Sequence, residues 1–163
     1  MSDVRCLTGA RILFEPRSLF MSDIFYDFSG GCLSISRFND IKGWQSAREL
    51  VRAVYTVTSE GTFARDFALR DQIRRAAVSG MSNIAEGFDR GSDPDFARFL
   101  DIARASITEV KSLLFVALDQ GYVTQEMFDL LMQHGDKTQA LIAAFTTYLR
   151  NPRVREQPTS AWQ

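Results

Sequence analysis

The sequence predicts an all-α protein, an antiparallel up-down four-helix bundle preceded by a loosely structured N-terminal extension. From residue 38 onward, apolar residues recur at three- and four-residue steps, as on the buried faces of helices. Short runs of turn-forming and capping residues interrupt this period at three places. Long helices joined by short connections pack side by side in alternating directions. With 163 residues, 45% of them apolar, the chain has room for one domain with a core.

The first two helices are predicted from their apolar stripes. The first begins near Asp40, a suitable N-cap, and ends at the TSEGT run. Its stripe consists of Ile41, Trp44, Ala47, Leu50, Val51, Val54 and Tyr55. The second helix runs from about Arg65 to Phe88, and its main apolar face contains Phe67, Ile73, Ala77, Gly80, Ile84 and Phe88.

The third helix is predicted from about Pro94 to Gln120. Gly91 suits a left-handed residue after the second helix, and Ser92 or Asp93 suits the N-cap of the third. Its apolar positions are Phe96, Phe99, Leu100, Ala103, Ile107, Val110, Leu114, Ala117 and Leu118.

The fourth helix begins after Thr124, its predicted N-cap, and is separated from the third by Gly121. Glu126 lies in its first turn, near the positive end of the helix dipole. Asn151, before a proline, ends it. Its apolar positions are Leu130, Leu131, Ile142, Phe145 and Leu149.

Three segments follow from this pattern: an N-terminal extension at 1–37, the bundle at 38–151 and a frayed polar tail at 152–163. The extension is predicted to be flexible, or an over-long start with Met21 as a nearer initiator. A short strand or hairpin packed on the domain is the alternative.

The composition argues against an enzyme, a metal site and a cofactor. His134 is the single histidine, and Cys6 and Cys32 have no Cys-x-x-Cys spacing. The sequence shows no nucleophile with a nearby base and no metal-ligating set. It also lacks an apolar run of membrane-spanning length and a secretory signal, so a cytoplasmic protein with no membrane partner is expected.

The run RRAAVSGMSNIAEGFDRGS, residues 74–92, resembles a phosphate loop only superficially. It lacks a preceding strand and the GxxxxGK[ST] pattern. Gly80 and Gly87 are two helical turns apart, so the run is predicted to be helical, with Gly80 allowing close helix approach. Its polar stripe is either a solvated face or a hydrogen-bonded network between subunits. In the second case Ser79, Asn83 and Glu86 lie at an oligomer interface.

Positive charge gathers in the first two helices. Residues 37–75 hold eight Lys/Arg against five Asp/Glu, whereas residues 76–150 hold six against ten, so the nets are +3 and −4. Although the net charge of −1 argues against coating nucleic acid by bulk electrostatics, a local basic patch remains open. The candidate nucleic-acid-binding residues are Arg48, Arg52, Arg70, Arg74 and Arg75. The alternative is that these arginines pair with Glu49, Asp66, Asp71 or Glu86.

Four runs together resemble one bacterial family: WQSARELVRAVYTVT, QIRRAAVS, SNIAEG, and FARFLDIARASITEV followed by Gly121-Tyr122. It is the family of four-helix-bundle proteins encoded in intervening sequences of large-subunit ribosomal RNA genes. The accessory variability protein of diversity-generating retroelements is related to it. The resemblance covers about Phe38 to Leu149. Members often have Ile-Pro where this chain has Gly80-Met81, so the proline kink of the second helix is expected to be lost.

The resemblance implies a homo-oligomer, commonly a five-fold ring, and the retroelement relatives look like nucleic-acid-binding partners of a reverse transcriptase. The expected function is therefore a non-enzymatic, homo-oligomeric bundle, most simply a pentamer, that binds RNA or DNA through arginines of the first two helices. A reverse transcriptase or another protein is a further expected partner. The alternative is a protein-interaction scaffold with no nucleic-acid role, which would use the aromatic-rich N-terminal arm (Phe14, Phe20, Phe25, Tyr26, Phe28).

Overall fold

A computed structural model describes residues 35–151 as four long helices with no strand among them. We label them α1 (Lys42–Val57), α2 (Phe67–Asp89), α3 (Asp93–Asp119) and α4 (Gln125–Arg150). Two short 3₁₀ helices, Phe38–Asp40 and Phe63–Arg65, precede α1 and α2. The predictions for the extension (apart from residues 35–37) and for the tail lie outside the described residues.

The four helices form a closed ring of contacts. α1 packs on α2 and α4, and α3 packs on the same two helices. Because the connections are short, successive helices run antiparallel, and the predicted up-down four-helix bundle is confirmed. The core has two clusters, one around Leu50 and Ile107 and the other around Ile84 and Leu100, whose side chains are fully buried.

Local capping chemistry sets most of the helix ends. Ser92 accepts a hydrogen bond from the Asp95 amide at 3.3 Å, and Thr124 accepts one from the Met127 amide at 3.3 Å. Gly91, at φ 79°, supplies a left-handed residue between α2 and α3. The predicted boundaries of α3 and α4 are therefore confirmed to within a residue or two.

The predicted N-cap of α1, Asp40, is wrong, and α2 begins two residues later than predicted. Asp40 belongs to a 3₁₀ helix, where its carboxylate accepts from the Arg37 amide at 3.2 Å, and α1 begins at Lys42. α2 begins at Phe67 and not at Arg65. Its cap is Asp66, whose carboxylate accepts from the Leu69 amide at 3.0 Å.

Three apolar residues placed on buried stripes by the sequence are exposed instead. Tyr55 is 42% exposed, Phe67 64% and Leu130 45%. The rings of Tyr55 and Phe67 lie against the guanidinium groups of arginines on α2. Leu130 points outward because its neighbour Leu131 takes the core position, and consecutive helical residues diverge by about 100°.

Two glycines let α2 and α3 approach closely, so the prediction for Gly80 is confirmed. A Cβ on Gly80 would lie 2.6 Å from Ile107 Cδ1, and one on Gly87 would lie 2.6 Å from Phe99 Cβ. Both contacts are made within the chain. α2 runs unbroken through Gly80-Met81.

Candidate nucleic-acid interface

One face of α1 carries two arginines and an aromatic ring. Arg48, Arg52 and Tyr55 are spaced four and three residues apart, so they lie along one side of the helix. All three are exposed. Trp44 lies one turn before Arg48, whose guanidinium carbon is 5.9 Å from the Trp44 ring centroid.

An open groove between α1 and α2 continues this face. It is lined by Tyr55, Asp71, Arg74, Arg75, Val78 and Ser79. Two further arginines therefore lie beside Tyr55. We call the surface formed by Arg48, Arg52, Tyr55, Arg74 and Arg75 the basic face.

Arg74 is committed to contacts inside the chain. Its Nε donates to Thr58 Oγ1 at 2.7 Å, and its Nη2 donates to the Thr58 carbonyl at 3.0 Å and to Ser59 Oγ at 3.2 Å. The guanidinium carbon lies 4.6 Å from the Tyr55 ring centroid. Since Thr58 is the C-cap of α1, Arg74 places a positive charge at the negative end of that helix dipole.

Arg70 is also satisfied internally, and it lies outside the basic face. Its Nη1 donates to the Ala64 carbonyl at 3.0 Å, and it pairs with Asp71 at 2.8 Å, one of the pairings that the alternative interpretation allowed. The hydrogen bond from Arg70 lowers the pKa of Asp71. The charged carboxylate thus offsets part of the positive charge in the groove.

Arg48, Arg52 and Arg75 remain available to an external anion. Among the residues that the structure describes, Arg75 makes one hydrogen bond, from Nη2 to Gln72 Oε1 at 2.9 Å. Neither Arg48 nor Arg52 forms an ion pair with any residue between 35 and 151. The structure therefore divides the five predicted arginines into two that support the fold and three that face solvent.

The residues predicted for an oligomer interface lie on α2 and hydrogen-bond within the chain. Ser79 Oγ lies 3.0 Å from Ser106 Oγ, and Asn83 Nδ2 donates to the Ser79 carbonyl at 2.8 Å. Glu86 pairs with Arg90 one turn later. Sequence reasoning missed Ser106, although its place between buried positions of the α3 stripe is a usable signal. A role of Ser79, Asn83 and Glu86 between subunits stays a prediction.

The described residues contain no cluster of His, Cys, Asp and Glu able to hold a metal ion. Across 35–151, no helix combines the length and the apolar character needed to cross a membrane.

The Tyr122 hydroxyl donates to the Asp66 carboxylate at 3.3 Å, and burial, with the charge of Asp66, raises the pKa of Tyr122. This contact ties the turn between α3 and α4 to the cap of α2.

Comparison with known proteins agrees with this architecture. A crystal structure of a protein of unknown function from the S23 ribosomal protein family of Bacteroides thetaiotaomicron VPI-5482 has the same fold. The two share a TM-score of 0.58 and 20% sequence identity, over 64% of this chain and 97% of the other. No curated protein matches the chain. The profile of the family described as 23S rRNA-intervening sequence protein matches residues 39–144, and the chain belongs to that family.

Proposed function

We propose that the protein is a non-enzymatic, homo-oligomeric bundle that binds the sugar-phosphate backbone of RNA or DNA through its basic face. The observation that carries the proposal is the exposure of Arg48 and Arg52 on the side of α1 that carries Tyr55, and of Arg75 in the groove that Tyr55 also lines, with few partners between residues 35 and 151. Guanidinium groups bind phosphate oxygens in a bidentate manner. Such contacts carry no sequence information, so the expected binding is general and not sequence-specific.

Oligomerisation would repeat the basic face and add its contacts together. Exposed apolar side chains support association, because several large ones are only partly covered by the residues between 35 and 151. They include Ile102, Phe115, Val116, Met127 and Leu130, each between 37% and 51% exposed. A repeated array of three arginines per subunit would compensate for the net charge of −1 on each chain.

The oligomer is expected to contain five chains. Light scattering coupled to size exclusion should therefore give five times the chain mass of 18.4 kDa. A single-chain mass across a wide concentration range would contradict the homo-oligomer. A mass that corresponds to another number of chains would still support a homo-oligomer with a repeated basic face, and only the expected number of five would be wrong.

The binding test uses the variant Arg48→Ala/Arg52→Ala/Arg75→Ala. At low salt we expect it to bind a fluorescent single-stranded RNA and a fluorescent DNA duplex about tenfold or more weakly than the parent protein, because three phosphate contacts are lost. Fluorescence anisotropy measures both affinities. Circular dichroism checks that the fold is kept.

A matched control removes equal charge elsewhere. Arg98→Ala/Arg104→Ala/Lys137→Ala deletes three exposed positive charges from α3 and α4. Its affinity should stay close to that of the parent. An equal loss in both triple variants would show that binding depends on total charge and not on the basic face. No binding by the parent protein at low salt would favour the protein-scaffold alternative.

A further inference from the structure

We infer that Tyr55 is a stacking platform for an unpaired base, so that the preferred ligand of the basic face is single-stranded nucleic acid. The inference rests on the proposed function and names the ligand class of the same site. It assigns to Tyr55 a contact with a base, whereas the arginines around it contact phosphate.

The ring of Tyr55 is open to a ligand. It is 42% exposed and lines the groove together with Arg75 and Ser79. Its hydroxyl makes no hydrogen bond to any residue between 35 and 151, so nothing in that range commits the ring to a polar role in the fold. A large exposed aromatic residue beside several arginines is the surface that single strands use.

Arg74 fixes the ring in place. Its guanidinium carbon lies 4.6 Å from the ring centroid, and three hydrogen bonds to Thr58 and Ser59 hold the guanidinium itself. A base that stacks on Tyr55 would meet a ring backed by a cation that is already ordered. Little side-chain entropy would then be lost on binding.

The phosphate contacts lie within reach of the same strand. Arg52 is one turn before Tyr55 and Arg48 nearly two, so the three span about 10 Å along α1. Arg75 lines the groove from α2. Arginines on both sides of the ring can therefore hold the backbone of a few nucleotides while one base lies on Tyr55.

A duplex cannot use this platform. Its bases are stacked on one another, and their faces become available only after unpairing, which costs free energy. Duplex DNA would therefore contact the arginines alone. The structure thus predicts a preference that charge by itself does not give.

The test combines two protein variants with three ligands of equal length: a single-stranded DNA, an abasic strand with the same phosphates, and a duplex. Tyr55→Ala should weaken binding of the single strand about tenfold or more. Its effect on the abasic strand and on the duplex should stay within about twofold, since neither ligand offers a free base. Tyr55→Phe keeps the ring and should bind like the parent.

The abasic strand also controls for a disturbed Arg74. If Tyr55→Ala acts only by releasing that guanidinium, the affinities for all three ligands change equally and the inference is wrong. It is also wrong if the parent protein binds single strand and duplex alike and Tyr55→Ala changes neither. In these outcomes the protein still binds nucleic acid, so the proposed function stands. If the parent protein binds none of the three ligands, both the inference and the proposed function are wrong.

Discussion

Replacing Gly87 by valine is expected to lower the free energy of unfolding by about 3 kcal/mol, the upper end of the usual cost of overpacking a core. A Cβ at this position would lie 2.6 Å from Phe99 Cβ and 2.8 Å from Phe96 Cδ2. Because Phe99 Cβ is bonded to the backbone of α3, a rotamer change cannot move it away. Urea denaturation followed by circular dichroism measures the loss.

Gly80→Ala, at the same contact between α2 and α3, is expected to cost less. Its Cβ would meet Ile107 Cδ1, the far end of a flexible side chain, at the same 2.6 Å. Alanine also gains about 1 kcal/mol of helix propensity over glycine. The net loss should therefore stay below about 1 kcal/mol. Equal stability of Gly87→Val and the parent would contradict the close packing of α2 on α3.

Arg74→Ala is expected to lower the free energy of unfolding by about 2 kcal/mol. The substitution removes three hydrogen bonds to Thr58 and Ser59 and leaves the C-terminal end of α1 without its positive charge. It also removes the cation that lies against the Tyr55 ring. Thermal and urea unfolding both report the change.

Arg75→Ala provides the control because Arg75 is the next residue and carries the same charge. Its hydrogen bond to Gln72 is exposed to solvent, so its removal should change stability by less than about 0.5 kcal/mol. If Arg74→Ala proves as stable as Arg75→Ala, the guanidinium of Arg74 is not needed for the fold. Arg74 would then join Arg48, Arg52 and Arg75 as a residue free to bind an anion.

The helix boundaries that the sequence predicted well are those set by neighbouring residues. Ser92 and Thr124 cap their helices through amides three residues away, and Gly91 and Gly121 adopt positive φ after the preceding helix. Such interactions are local and visible in a short window. Asp40 was predicted to be the N-cap of α1, but its carboxylate accepts from the Arg37 amide in the 3₁₀ helix that precedes α1.

The candidate arginines could be found from charge and spacing, but their roles could not. Arg70 and Arg74 are one turn apart and were both predicted to bind nucleic acid. The connection from α1 to α2 instead brings Ala64 and Thr58 to their guanidinium groups. Thr58 lies 16 residues before Arg74, and its approach depends on how the two helices pack. The periodicity of apolar residues does not show which residues of α1 lie close to Arg74 in the folded protein.

The exposure of Tyr55 also could not be predicted from the sequence. Its spacing fits the apolar stripe of α1, so the pattern predicted a buried residue. In the structure the residue is 42% exposed, and the guanidinium carbon of Arg74 lies 4.6 Å from the ring centroid. An amphipathic pattern cannot distinguish an aromatic ring in the core from one that lies against a cation at the surface.

The salt dependence of binding reports directly whether the basic face contacts phosphate groups. The logarithm of the association constant for a DNA duplex, plotted against the logarithm of salt concentration, has a slope of about −0.9 for each phosphate contacted. We predict a steep slope for the parent protein, reduced in magnitude by about 2 to 3 in Arg48→Ala/Arg52→Ala/Arg75→Ala. The same slope in the parent and in the variant would contradict this prediction.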